Sequence, residues 1–156
     1  MNKYTINDGF FSEEAITLDF INSMQNKISG IKRKNRRIYF EVTNEHLLEV
    51  AGYLFNEMHC RLSTATAMET YYGLEILYHF SFDPAGCYYC PRLILTDKNN
   101  PSVNSISKII KGAEWIEREI SELWGITFVG HPRLEPLLTG NHPNNLKMPL
   151  RFRRVK

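Results

Sequence analysis

Tyr71-Tyr-Gly-Leu-Glu-Ile-Leu-Tyr-His-Phe-Ser-Phe82, then Asp83-Pro-Ala-Gly86, then Tyr88–Thr96, is the stretch on which the fold turns. Its first part alternates. Leu74, Ile76, Tyr78 and Phe80 point one way and Glu75, Leu77, His79 and Ser81 the other, which is the period of a β-strand. Asp-Pro-Ala-Gly is a turn signal, so Tyr88–Thr96 reads as the returning strand of a hairpin. Pro91 has no N–H to give a ladder, which places the early part of that strand at a sheet edge. Asp97-Lys-Asn-Asn-Pro101 breaks the chain again.

Upstream, residues 12–28 read as a helix. Ser12 can cap it, Glu13 and Glu14 suit the positive end of its dipole, and Ile16, Phe20, Ile21 and Met24 recur at helical spacing; Gly30 ends it. A basic run follows as a loop or strand edge, then Ile38–Val42 as a strand. Thr43 is placed to cap a second helix, 44–58, with Leu47, Leu48, Ala51, Leu54 and Phe55 as its inward stripe. Residues 61–68 alternate weakly, as a short strand. Downstream, a last regular element spans 105–124 with a break near Gly112, and Gly125 suits a left-handed helix terminus. The Pro-, Gly- and Asn-rich tail reads as extended. The pattern is an α+β fold: a mixed or antiparallel sheet of about four strands, helices packed on it, and an extended C-terminal arm.

The chain has 156 residues, 43% hydrophobic and 23% charged, which suits one globular domain and excludes a disordered or low-complexity chain. No apolar run approaches the ~20 residues of a membrane helix, and the start lacks the apolar core of a signal peptide. Three cysteines fit a reducing compartment. The net charge is +2, but residues 32–37 and 151–156 hold nine of the 19 cations and none of the 17 acids. An acidic body with two basic patches suits docking on a larger assembly better than it suits a broad nucleic-acid face.

The chemistry-bearing segment is Trp115-Ile-Glu-Arg-Glu-Ile-Ser-Glu-Leu-Trp124. On a helix, Ala113, Ile116, Ile120, Leu123 and Trp124 gather on the side that packs on the sheet. Trp115, Arg118 and Glu122 fall nearly opposite, Glu119 on the flank, and Glu114, Arg118 and Glu122 have the i, i+4 spacing of a surface ion-pair row. A Trp pointing outward beside an Arg has the composition of an interface hot spot. His131, before Pro132, reads as a structural hydrogen-bonding residue. Cys87-Tyr-Tyr-Cys90, even with Cys60, His59 and His79, makes a weak metal motif, because residues three apart on a strand face opposite sides. No phosphate loop, nucleotide fingerprint or nucleophile elbow is present.

Glu117-Arg118-Glu119, Glu122, Gly125-Ile126, Phe128, Gly130-His131-Pro132, Leu134 and Pro149-Leu150-Arg151, with Leu74–Ser81, Ser105 and Ala113-Glu-Trp115 upstream, resemble the signature of the respiratory-chain NADH dehydrogenase 30 kDa family. Its members are the C component of NADH:quinone oxidoreductase (complex I), with counterparts in energy-converting [NiFe] hydrogenases and formate hydrogenlyase-type complexes. The likeness covers roughly residues 36–151, so 31–151 is expected to be the family domain, folded as one with the helical segment 1–30 and followed by a basic tail, 152–156. Glu122 stands where the family usually has Asp. Arg133-Leu-Glu135 replaces an Asp-Leu-Arg run, and Phe152 replaces a basic residue; these departures keep the hydrogenase-type branch as the alternative.

The resemblance implies a non-catalytic scaffold subunit on the cytoplasmic side, peripheral to the membrane through its complex. It implies no catalytic, metal or cofactor-binding residue in this chain. Iron–sulfur clusters, and flavin or a nickel–iron centre, are expected in the partners: a large quinone-site or hydrogenase-like subunit and a small iron–sulfur subunit. The residues expected to face them are Trp115, Glu117, Arg118, Glu119, Glu122, Gly125, Ile126, Gly130, His131, Pro132, Leu134, Leu137, Leu138 and Arg151. Two other readings compete with this one: a nucleic-acid module on the basic run Lys32–Arg37 and the basic tail, and a small enzyme using Glu117, Glu119 and Glu122 as paired carboxylates.

Overall fold

The structure, a computed structural model, describes residues 13–140 and 149–150. The expected cap at Ser12, Arg151 and the tail 152–156 lie outside the described residues. The elements are α1 (Glu13–Met24), β1 (Ile28–Lys34), β2 (Arg37–Val42), α2 (Asn44–Gly52), β3 (Arg61–Glu69), β4 (Leu74–Phe82), β5 (Cys87–Leu95), β6 (Ser102–Asn104), α3 (Ala113–Trp124) and β7 (Thr127–Val129). The main sheet has five strands in the order β1-β2-β5-β4-β3, antiparallel except for the parallel pair β2–β5. The class is α+β with a mixed sheet, as the pattern predicts.

The inward row is the one the alternation gives. Leu74, Ile76, Tyr78 and Phe80 of β4 are fully buried beside Ile38 and Phe40 of β2 and Tyr89 and Leu93 of β5. Phe20 of α1 sits over this row, its ring 5.2 Å from that of Phe40 and 5.1 Å from that of Tyr89. Leu47, Val50 and Ala51 of α2 and Ala113 and Ile120 of α3 join the same core. Burying a side chain such as Phe20 contributes roughly 1.5–3 kcal/mol. The other sheet face carries a half-exposed polar row in which Arg92 pairs with Glu75 at 3.3 Å and with Glu41 at 3.6 Å.

Several expectations are corrected. The main sheet has five strands rather than about four, because the start of the basic run, Lys32–Lys34, completes β1. Gly30 does not end a helix; it lies inside β1 at φ +59, where Ser29↔Glu41 and Lys32↔Tyr39 bracket a bulge. Exposed cations and a bulge are how an edge strand avoids unwanted pairing, so the run's polarity is that of an edge. Pro91 is not at an edge: β5 lies between β2 and β4, and no β4–β5 pair forms between Leu77↔Arg92 and Phe80↔Tyr89, where Pro91 has no N–H to offer. Helix α2 stops at Gly52 and widens into a π-turn, Tyr53–Glu57; Leu48 is exposed and Val50 takes its inward place. Thr43 holds the N-cap position in extended geometry without a side-chain cap bond.

Residues 105–112 are turns rather than helix. They follow β6, which pairs in parallel with β7 through Val103↔Phe128, and α3 is the crossover between the two. This small second sheet fixes both ends of α3 and so sets the angle at which its polar side faces the loop behind it and the arm beyond it. Gly125 ends the helix at φ +69 and ψ 24. A Cβ there would also lie 3.3 Å from Pro149, so glycine is required twice over.

Candidate functional site

Helix α3 is amphipathic, but its polar side is not a solvated face. Glu117 and Glu122 are both fully buried. The outward position expected for Glu122 is therefore wrong, and the row Glu114–Arg118–Glu122 does not form. The reason is the arm. Residues after β7 turn back across α3, and hydrogen-bonding groups of the chain itself occupy the helix face that an apolar/polar pattern assigns to water.

Three side chains hold that packing. Glu122 accepts the backbone N–H groups of Leu137 (2.8 Å), Leu138 (2.6 Å) and Thr139 (2.7 Å), and the Thr139 hydroxyl at 2.5 Å. Burial works against its charge, but these bonds outweigh it and hold the carboxyl below the usual range. Arg118 donates Nε to the Glu135 carbonyl at 2.9 Å and a terminal nitrogen to the Pro136 carbonyl at 3.1 Å. Leu150 N–H adds a bond to the Glu122 carbonyl at 3.1 Å.

Glu117 faces the other way, into the loop before α3. It accepts the Ser105 hydroxyl at 2.5 Å and the Ile106 N–H at 2.8 Å, and Ser105 contacts Ser107 at 2.6 Å. Burial is the dominant influence and pushes its carboxyl up to about 7 despite these two bonds. His131 closes the corner. Its Nδ1 accepts the Arg133 N–H at 3.0 Å, which leaves the proton on Nε2. Nε2 donates to the Glu114 carbonyl at 3.1 Å and lies 3.9 Å from Glu117. His131 is thus a hydrogen-bonding joint between β7, α3 and the arm. Ser105, Ser107 and Thr139 are the members that periodicity does not single out, since small hydroxyl residues leave no signal at either the helix or the strand period.

The remaining signature residues divide. Gly125 is the helix terminus described above, Ile126 is buried, and Gly130 turns the chain at φ +81. Leu134 packs against the core and Leu137 is half-buried, whereas Pro132 is exposed and Leu138 is 61% exposed. Trp115 faces solvent as expected, at 64% exposure, with the Arg118 guanidinium 5.4 Å from its ring centroid. Trp115, Ile116 and Glu119 line a shallow groove of about 190 Å3 with Leu62 and Thr64 of β3 and Leu137 of the arm. What this arrangement can do is present an aromatic anchor on a braced surface.

The Cys-x-x-Cys pair does not converge. Cys87 belongs to the core, near Cys60, while Cys90 lies on the other sheet face, 3.8 Å from His79 Nδ1, with its thiol pushed up to about 11 by burial. Among the described residues no three His, Cys, Asp or Glu side chains are placed to hold a metal ion.

A family model, respiratory-chain NADH dehydrogenase, 30 Kd subunit, matches residues 40–154. The chain belongs to this family. The NADH-quinone oxidoreductase C component of Azorhizobium caulinodans is 31% identical over 120 residues, 70% of this chain and 56% of that protein. Its counterpart in Roseiflexus sp. (strain RS-1) is 30% identical over 119 residues, 70% and 68% of the two chains. The C/D protein of the NADH-quinone oxidoreductase of Bacteroides thetaiotaomicron is 36% identical over 75 residues, 48% of this chain and 14% of that protein. The chain thus spans 14% and 56% of the Bacteroides and Azorhizobium proteins. Two solved structures share the fold. One is Nqo5 (trypsin-resistant fragment 1–134), with TM-score 0.58 and 18% identity over 78% of this chain and 98% of that one. The other is from the membrane-bound sulfane sulfur reductase, an archaeal respiratory membrane complex, with TM-score 0.69 and 19% identity over 87% and 78%.

Proposed function

We propose that this chain is a non-catalytic scaffold subunit of the peripheral arm of a membrane-bound NADH:quinone oxidoreductase. In this reading it braces the large quinone-site subunit against the small iron–sulfur subunit from the cytoplasmic side. The partners carry the iron–sulfur clusters and flavin, and this chain contributes to electron transfer by holding them in range. Family membership supports the reading, and the single observation that carries it is Trp115. A tryptophan left 64% exposed, stacked by an arginine that is itself anchored to the arm, is a preorganised hot spot rather than a solvated residue. Among the described residues no helix is long and apolar enough to cross a membrane, so attachment through partners is the matching arrangement.

The equivalent place in an energy-converting [NiFe] hydrogenase or formate hydrogenlyase-type complex is the second reading. It is favoured by the departures at Glu122, Arg133-Leu-Glu135 and Phe152. Trp115→Ala introduced into the host's own complex tests both. The expected outcome is loss of the intact complex on a native gel, with the isolated variant keeping its thermal midpoint. An intact, active complex with the variant incorporated would remove Trp115 from the interface. The large subunit that co-purifies with the native chain separates the two readings, by the presence or absence of nickel.

A further inference from the structure

Where β1 turns into β2, three cations converge on an aromatic floor. Lys34 and Arg37 close the hairpin directly opposite each other, a pairing that is unfavourable without a counter-charge. Asn35, at φ +53, and Arg36 form the loop between them. The Arg36 carbonyl accepts the Tyr88 N–H at 2.8 Å, and its guanidinium lies 3.4 Å from where Gly86 would carry a Cβ. The absent side chain at Gly86 therefore makes room for the cation. Arg37 stands 5.3 Å over the Tyr88 ring. Together with Tyr39 these residues line a concavity of about 490 Å3 that no carboxylate enters.

Among the described residues, most cations elsewhere are neutralised; Lys32, Lys108, Lys111 and Arg118 are not, but none of these lines the same cup. Lys27, Arg33, Arg61, Arg92, Lys98 and Arg133 each have an acidic partner. Among the described residues, Lys34, Arg36 and Arg37 make no ion pair. We propose that this cup is a docking site for an acidic polypeptide segment, whose Asp or Glu carboxylates engage Arg36 and Arg37 while neighbouring apolar side chains cover Tyr39 and Tyr88. Forked guanidiniums suit carboxylates. A phosphate cradle would need vacant backbone N–H groups, but those of Gly86 and Tyr88 are already engaged by the Asp83 and Arg36 carbonyls. Nucleic acid would need cations strung along a stripe, and here they gather in a cup beside an acidic body. Only the source of the segment, another subunit, rests on the scaffold reading.

The test is made on the full chain alone, so it succeeds or fails independently of assembly. Fluorescein-labelled octaglutamate is titrated by anisotropy and by amide-resolved NMR. The expected result is binding that weakens with salt, with shifts centred on Asn35, Gly86 and Tyr88, and a loss of roughly tenfold or more in Arg36→Ala/Arg37→Ala at unchanged thermal midpoint. Arg36→Ala alone serves if the double variant loses stability, and Lys108→Ala/Lys111→Ala is expected to bind like the parent. Inorganic phosphate, a random DNA duplex and phosphatidylglycerol vesicles form the other arms. Absence of octaglutamate binding, tighter binding in any of those arms, or full affinity in the arginine variants would overturn the proposal.

Discussion

Two carboxylates on one helix, five residues apart and equally hidden from solvent, are held in opposite ways. Glu117 faces a loop that gives it one hydroxyl and one backbone N–H, and burial lifts its carboxyl to about 7. Glu122 faces an arm that gives it three backbone N–H groups and a hydroxyl, and its carboxyl stays below the usual range. Both lose their contact with water, but Glu117 lies deeper among the surrounding atoms, so heavier desolvation and fewer donors act together there, whereas at Glu122 the donors win. The consequence differs too. A buried ionised carboxylate with four donors is a clamp, because removing it strands the groups that point at it. A buried carboxyl with two donors accommodates a proton and packs as a neutral group. The arm side of α3 is thus held by charge, and the loop side by shape and hydrogen bonds.

The sharpest way to break this contrast is Glu122→Ala. Charge-assisted bonds contribute about 1.5–3 kcal/mol each, and part of that is recovered when the stranded N–H groups meet water. A loss on the order of 4 kcal/mol is expected, with hydrogen-exchange protection disappearing at residues 137–139 and surviving in β4 and β5. The parent's acid sensitivity carries the same signature. A carboxyl held below its unfolded value contributes stability that is present above that value and lost as pH falls through the folded one. Urea midpoints below pH 4.5 should therefore fall in the parent and change less in the variant. Protected amides at 137–139 in Glu122→Ala would mean that the arm is held by something else.

Glu117→Gln probes the other half with the opposite sign. A carboxyl raised from 4.5 to about 7 gives a stability that is whole below pH 4.5 and declines as pH rises toward 7, since the unfolded chain ionises first. The decline is on the order of 3 kcal/mol at 1.36 kcal/mol per unit. Glutamine resembles the protonated form, so the variant should match the parent near pH 4 and exceed it at pH 8. Equal stability of the two proteins at pH 8 would show that Glu117 is ionised without penalty.

Why the two glutamates look alike in sequence follows from what periodicity can carry. The β4–β5 hairpin is legible because one apolar face recurs every second residue and an Asp-Pro-Ala-Gly turn joins the strands. The exposed Trp115 and the terminus at Gly125 are legible for similar local reasons. Glu122 is not, because a polar residue opposite an apolar stripe reads as solvent-facing whether water or the chain's own amides lie beyond it. The interior place of Pro91 is hidden because strand order depends on the parallel β2–β5 pairing, which is non-local. Strand β1 is only half legible, as a loop or strand edge, because an edge strand kept from pairing by two lysines, an arginine and a glycine bulge has no alternation to read.

Arg118 sharpens the comparison at smaller scale, since it meets the arm through carbonyls rather than amides. Arg118→Ala removes two bonds to groups near solvent, so a loss of about 1–2 kcal/mol is expected. The arm should loosen around 135–136 while 137–139 stay protected by Glu122. Loss of protection across both segments would make the arm one cooperative unit rather than two separately held stretches.

Trp115 should show the smallest effect on the isolated fold. Its ring is mostly in water, and its contact with Arg118 is an exposed cation–π pair of about 0.5–1 kcal/mol. Arg118 keeps its carbonyl partners when the ring is removed, so the arm has no reason to move. Trp115→Ala is therefore expected to shift folding stability by less than about 0.5 kcal/mol in urea titration, the range of surface substitutions away from packed features. A shift several times larger would mean that the tryptophan braces its own arm and is not left over for another protein. A near-neutral result makes its exposure a feature that folding of this chain does not explain, which is the property a surface reserved for docking should have.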